Sequence, residues 1–316
     1  MRTSNFSRPV CILGLGLIGG SLLRDLHAIK HPVFGYNRSP ISAPGLDIST
    51  SLPDTLTRAA ENNALIILAT PMPVVPQLLA ALPPQCEFTD VVSMKTAVAA
   101  AVHAQGLDAQ FVGGHPMAGA AESGWEATRL GLFQDAAWPI MLDDAATKPH
   151  LWADVALLAQ LVGARPIPTT AARHDAAVAR ISHLPHILAE ALATTGAAGG
   201  TLALSLAAGS FRDGTRVAAA RPELVRAICE PNAPAVLAAL DELLETLTTT
   251  RQQLHATGTL GELPDNGHAA RKYYEEVSTA ALSLPPVEVC VGAPGWVQEL
   301  EAAETAGRWV RVLGCV

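Results

Sequence analysis

Charge and aromatic rings are both scarce in this chain of 316 residues, with charged side chains at 16% and aromatic ones at 4%. Cations are the scarcer sign: Lys plus Arg is 21 against Asp plus Glu at 29, a formal charge of −8. Nucleic acids and acidic membranes bind basic patches, so neither partner is expected. An anionic small-molecule substrate must be held by a few local cations instead. Cysteine is sparse as well. Cys11, Cys86, Cys229, Cys290 and Cys315 are odd in number and form no C-x-x-C pair, which points to reduced thiols rather than a disulfide framework. Cys11, inside an apolar stretch, reads as a core residue. The N-terminus lacks an apolar run ending in a small-residue cleavage site, so no signal peptide is expected. The longest apolar-looking stretch, 187–209, carries Glu190 and is rich in Ala, Gly, Thr and Ser. It suits a closely packed helix better than a membrane span, and a cytoplasmic location is the expectation.

What is present is a chain long enough for roughly two domains, 49% hydrophobic, whose opening stretch organises the rest. Val10 to Leu13 read as a buried strand. Gly14, Leu15, Gly16, Leu17, Ile18 and Gly19 then supply the G-x-G-x-x-G spacing, and Ile18, Leu22, Leu23 and Leu26 the helical period that follows. One glycine permits the tight turn, one lets backbone approach a pyrophosphate, and one lets helix and strand pack closely. Phosphate oxygens are favoured at the helix N-terminus, where free N–H groups and the helix dipole attract negative charge.

A second strand is predicted over 32–36, followed by Asn37, Arg38 and Ser39. An NAD site places an acid here, about 20 residues past the glycines, to bind the ribose 2′-hydroxyl. This chain has none. Asn37 and Ser39 can instead hydrogen-bond a 2′-phosphate, and Arg38 can lie against it or the adenine face, so NADP is favoured over NAD.

Further apolar strands are predicted at 64–69, 88–92 and 111–113, separated by helical segments, as in a parallel sheet covered on both faces. The fold class is therefore α/β, a Rossmann-like doubly wound sheet whose ligands bind beyond the carboxyl ends of the strands. Thr70, Ser93 and His115 each sit just past one of these three strands. Strands at 138–142 and 165–169 would complete a dinucleotide-binding domain over 1–170. Segments 172–195, 198–209, 215–228 and 233–256 read as helices of a second domain, 171–283. The usual dehydrogenase plan puts the site in the cleft between two such domains. A strand–helix–strand tail, 284–316, is either a small regulatory unit or a sheet edge that pairs with another subunit.

The glycine loop, Ser93-x-Lys95 and His115-Pro116-Met117-Ala118-Gly119 together resemble the prephenate/arogenate dehydrogenase family. The resemblance continues through His174-Asp175, the Ser182-His183-Leu184-Pro185-His186 stretch and 211–216, covering residues 10 to about 250. It implies oxidative decarboxylation of a cyclohexadienol to give tyrosine or its precursor, and a dimer through the helical domain. His115 and Ser93 correspond to the family's catalytic pair, and Arg216 to an arginine that holds a substrate carboxylate, a task suited to a bidentate guanidinium. His115 would accept a hydrogen bond from the reacting hydroxyl, and Ser93 would orient that hydroxyl or the histidine. Ser182 and His186 are placed on the substrate, with His186 facing it and His183 structural.

His183 and His186 share a helical spacing that a metal could use, but Pro185 intervenes and no third ligand stands out, so no metal is expected. Family members that use prephenate can carry a Glu shortly after the His-Pro motif. Here Ala120, Ala121 and Glu122 follow, and the reading leans to arogenate, with prephenate or another NADP-dependent oxidation as alternatives.

Overall fold

A computed structural model describes residues 6–119, 122–143, 145 and 148–313, the side chain of residue 282 excepted. The described chain falls into two compact units, residues 1–174 with 285–316, and residues 175–284.

The first unit opens with β1 (Val10–Leu13), whose four side chains are all buried, and α1 (Leu17–Ala28). β2 (Val33–Tyr36), β3 (Ile48–Ser49), α2 (Leu52–Glu61), β4 (Leu65–Leu68), α3 (Val75–Ala81), β5 (Phe88–Asp90), α4 (Lys95–Ala104) and β6 (Phe111–Val112) follow. The six strands lie in the order β3-β2-β1-β4-β5-β6, every neighbouring pair parallel. Consecutive apolar residues suit these strands because helices cover both faces. Two packed clusters do this: one holds Ile12, Leu22, Leu26 and Ile67, the other Cys11, Leu13, Ile66 and Phe88. The strand order reverses between β1 and β4, which is where such sheets open a crevice for ligands.

β7 (Ala137–Met141), α5 (Pro149–Leu161) and β8 (Arg165–Thr169) come next. β7 and β8 pair with each other in parallel and are not strands of the six-stranded sheet. The link runs the other way: residues 113–117 lie antiparallel to β7, with His115 N–H on Pro139 O at 3.0 Å and Met117 N–H on Ala137 O at 2.8 Å.

α6 (Ala171–Val178) carries the chain from the first unit into the second. There, a wide π turn over 179–183 leads into α7 (Leu184–Ala198), α8 (Gly200–Ser205), α9 (Gly209–Thr215), α10 (Pro222–Cys229), α11 (Ala233–Thr257) and α12 (Leu263–Ser283). The buried cluster found here is small, Ala179, Val236 and Ala239. Large apolar side chains stay outside instead, among them Leu202 (71% exposed), Leu206 (74%) and Tyr273 (68%).

The C-terminal arm returns to the first unit as β9 (Val287–Cys290), α13 (Trp296–Thr305) and β10 (Val310–Leu313), its two strands parallel. Val289, Trp296, Leu300 and Val310 belong to the same apolar cluster as Trp138 and Trp152, and the Trp296 and Trp152 rings meet edge to face with centroids 6.0 Å apart. Cys11, Cys86 and Cys229 are free thiols, but Cys290 is disulfide-bonded, its partner lying outside the described residues. Five reduced thiols are therefore not what the fold holds, because spacing along the chain does not show which cysteines folding pairs.

Candidate active site

The glycine loop leaves β1 at the switch point. Gly14 turns with φ +104, a conformation that L side chains rarely adopt, and a Cβ on Gly19 would lie 2.0 Å from the Gly14 carbonyl oxygen. A Cβ on Gly16 would meet nothing within 4 Å, so the turn is tight on its protein side and open on the other. Gly16 stands at the N-cap of α1, ahead of Leu17 and Ile18 in the first helical turn, where backbone N–H groups are free for an anion. Thr70, past β4, has a buried hydroxyl oxygen with no hydrogen-bond partner. An open glycine, unengaged helix N–H groups and an orphaned hydroxyl fit a nucleotide diphosphate.

Past β2, the Asn37 carboxamide oxygen accepts the Leu15 N–H at 3.3 Å, and its nitrogen donates to Ser39 O at 2.7 Å. Asn37 thus braces the glycine loop from inside. Arg38 and Ser39 are exposed, and Arg38 has no ion pair among the described residues.

Ser93 and His115 follow β5 and β6, both half-buried. Ser93 makes no hydrogen bond to another described residue. His115 is held by a different neighbour: its Nδ1 lies 2.9 Å from Nε2 of His174, which is 3% exposed, with the two rings edge to face. The residue before His115 is fixed from below. Lys95, 1% exposed, donates its ammonium hydrogens to the carboxylate of the fully buried Asp90 and, at 2.7 Å, to Gly114 O. Asp90 in turn accepts the Gly114 N–H at 3.3 Å and the Val92 N–H at 3.0 Å. Burial pushes the Asp90 carboxyl up, and Lys95 and the two N–H donors oppose that push. The backbone carrying His115 is therefore tied to a buried ion pair on one side and to β7 on the other.

His174 and Lys95 are the residues that reasoning from sequence missed as parts of this arrangement. The signal for Lys95 is Asp90, a lone carboxylate within the apolar stretch 88–92. No local signal marks His174 as a partner of His115, since 59 residues separate them.

In the helical unit, Asn232 Nδ2 donates to His183 Nδ1 at 3.2 Å and to Asp175 O at 2.8 Å, and His183 is 2% exposed. His186, one turn into α7, is half-exposed, and its Nδ1 is buried without a partner. Ser182 lies in the π turn just before α7. Arg216 is exposed, forms no ion pair among the described residues, and begins a 3-10 turn, Arg216–Ala219, packed against α7. Ala120 and Ala121 lie outside the described residues, while Glu122 is exposed.

A glycine loop at the switch point of a parallel sheet, with a braced histidine ending a nearby strand, defines a pyridine nucleotide-dependent dehydrogenase. Residues 22–167 match the nucleotide-binding domain of prephenate dehydrogenase, and residues 170–260 its dimerization domain. The chain belongs to the prephenate dehydrogenase family. Cyclohexadienyl dehydrogenase of Zymomonas mobilis is 31% identical, the match covering 88% of this chain and 96% of the relative. A candidate prephenate dehydrogenase from Corynebacterium glutamicum, known from its crystal structure, is 50% identical with TM-score 0.92, over 97% of this chain and 99% of that one. The Synechocystis arogenate dehydrogenase structure is 30% identical with TM-score 0.71, over 84% and 99%. No described helix is long and apolar enough to cross a membrane.

Proposed function

We propose that this enzyme oxidatively decarboxylates arogenate to tyrosine with NADP as its nucleotide, His115 acting as the proton acceptor. The observation that carries this reading is the half-buried His115, set just past β6 with its ring braced through Nδ1 by His174. As the ring carbon bearing the hydroxyl loses its hydride, that hydroxyl loses its proton to His115; the electron pair left by departing CO2 then makes the ring aromatic and passes to the ring oxygen, which takes the proton back from His115 to give the phenol. Bound NADP supplies the hydride acceptor. Ser93, with its hydroxyl unengaged, orients the reacting hydroxyl or the imidazole.

Gly14, Leu15, Gly16, Leu17, Ile18, Gly19 and Thr70 cradle the diphosphate. The 2′-phosphate is held by Arg38 and Ser39, with Asn37 shaping the loop beneath them. A carboxylate acceptor for a free 2′-hydroxyl is missing from this loop, which favours NADP over NAD. In the helical unit, Arg216 binds a substrate carboxylate, and His186 and Ser182 hydrogen-bond substrate. The arogenate preference rests on the NADP-type loop and the likeness to the Synechocystis enzyme; prephenate is the competing substrate. Purified enzyme, given each substrate with each nucleotide while NAD(P)H absorbance is followed, tests all of this. Faster turnover of prephenate, or a lower KM for NAD, would overturn the corresponding half of the reading.

The enzyme acts as a homodimer through its helical unit, in the cytoplasm. Exposed leucines and tyrosines around a very small buried cluster are what a unit completed by a twin would show. Light scattering that gave a monomer would refute the dimer.

A further inference from the structure

Helices α6 and α7 would be one regular helix but for the π turn between them, residues 179–183. Its cause is local. Pro185, in the first turn of α7, has no N–H to donate, and a proline ring inside a helix crowds the carbonyl four residues back, here that of Ile181. The ladder widens just ahead of it, the Leu184 N–H reaching five residues back to Ala179 O. Single π turns inside helices recur at functional sites. This one contains Ser182 and ends three residues before His186. It is also held from outside. Ala179 is fully buried against Val236 and Ala239 of α11, Arg180 pairs with Glu242 of the same helix, and the Cys229 thiol at the end of α10 donates to His183 O at 3.9 Å.

Asn232 reaches both ends of the turn. It is 3% exposed and stands at the N-cap of α11, where an asparagine side chain ordinarily accepts an N–H of its own helix. Asn232 makes no such cap bond. Its carboxamide nitrogen instead donates to Asp175 O at 2.8 Å, in α6 ahead of the turn, and lies 3.2 Å from Nδ1 of His183, the last residue of the turn. The bond to Asp175 O stands whichever ring nitrogen of His183 carries hydrogen. The side chain thus serves the neighbouring helix rather than its own. We propose that Asn232 is a positioning residue for substrate binding: by bridging Asp175 and His183 it fixes the width of the π turn, and with it the placement of Ser182 and His186. This rests on the reading of Ser182 and His186 as groups that hydrogen-bond substrate. A π turn takes up one residue more than an α turn, so closing it would swing His186 by about 100° around the helix relative to Asp175. Much less than that matters, since misplacement of about 1 Å can cost ~10²-fold in rate.

The test uses the full chain with Asn232→Leu and Asn232→Asp, the second keeping the shape of the side chain but not the donor. Each is titrated with NADPH, and kcat is expressed per nucleotide-binding site. Both variants should raise the substrate KM about 10-fold or more and lower kcat/KM by about 10- to 100-fold, with KM for NADP unchanged. A role in stability alone would lower Tm and the number of nucleotide-binding sites while leaving the substrate KM of the remaining sites intact. That result overturns the proposal, as does an Asn232→Asp variant with wild-type kinetics. If Asn232→Leu does not fold, the near-isosteric Asn232→Asp carries the test. Ser182→Ala and His186→Ala are the controls, and each should raise the substrate KM. Adding the Asn232 change to the Ser182→Ala/His186→Ala pair should cost little more, because it acts through those two side chains; full additivity overturns the proposal. If the controls leave the substrate KM unchanged, the reading of Ser182 and His186 fails and this proposal with it. If they raise it and the Asn232 variants do not, this proposal alone fails.

Discussion

Lys95 and Asp90 form an ion pair sealed inside the first unit, 1% and 0% exposed, and the same ammonium holds the carbonyl of Gly114, one residue before His115. Removing one partner of such a pair leaves a buried charge unpaired, which costs about 3–5 kcal/mol. Lys95→Met is therefore expected to lose that much in urea unfolding at pH 7. Without the ammonium, nothing but two N–H groups opposes the upward push of burial on the Asp90 carboxyl. A carboxyl whose folded pKa is raised above its unfolded value destabilises the fold when ionised, so the deficit should shrink as pH falls toward the ordinary carboxylate range. Adding Asp90→Leu should recover stability but not kcat, since both tethers on Gly114 are then gone. A Lys95→Met variant as stable as wild type would sink this account.

The contrast between Lys95 and the glycine loop shows what a sequence can reveal. Strands β1, β4 and β5 and the loop after β1 are legible because apolar runs, glycine spacing and helical period are local signals. So is the location of His115 beyond a strand. Lys95 is legible as the end of the Ser93-x-Lys95 motif, but only the folded sheet shows that its ammonium points at Asp90. His174 and His115 stand 59 residues apart, and Asn232 and Asp175 stand 57 apart. Those contacts are made by tertiary packing, so no window of sequence contains them. The same holds for β7 and β8: their apolar patterns mark them as strands, but partner choice depends on the antiparallel return of residues 113–117.

Arg38 offers a direct test of nucleotide choice. It is exposed, free of ion pairs among the described residues, and sits where an acid would bind a 2′-hydroxyl. A hydrogen bond to a charged group contributes about 1.5–3 kcal/mol, so Arg38→Ala should raise KM for NADP on the order of 10- to 100-fold. KM for NAD should barely move. Equal effects on both nucleotides would mean that Arg38 stacks on the adenine instead of reading the phosphate.

Asp25, on the buried face of α1, accepts the Gly131 N–H at 2.8 Å through Oδ1, while Oδ2 is buried with no partner. Burial pushes this carboxyl up, and the Gly131 N–H only partly offsets it. Its ionised form therefore weighs against folding at neutral pH. Asp25→Asn keeps an acceptor for Gly131 and should be at least as stable as wild type at pH 7. As pH falls toward the ordinary aspartate value of about 3.9, the wild type should gain on the variant. Paired thermal melts across that range check the sign, and a gap that widened in the variant's favour at low pH would contradict it.

Arg216 separates binding from chemistry. It is exposed at the start of a turn packed on α7, the helix that carries His186 with its buried, unpartnered Nδ1. A guanidinium there can grip a carboxylate by two parallel hydrogen bonds, which an ammonium cannot reproduce. Arg216→Lys should therefore raise the substrate KM nearly as much as Arg216→Ala, about 10-fold or more, with KM for NADP unaltered. If the carboxylate it holds is the one retained on the side chain, kcat should change little, since that contact is equal in ground and transition states. If it holds the departing carboxylate, kcat must fall together with kcat/KM, because that group's charge moves into the ring as CO2 leaves. Steady-state kinetics of the two variants thus decides which carboxylate Arg216 grips, and an unchanged substrate KM in both would remove it from the site.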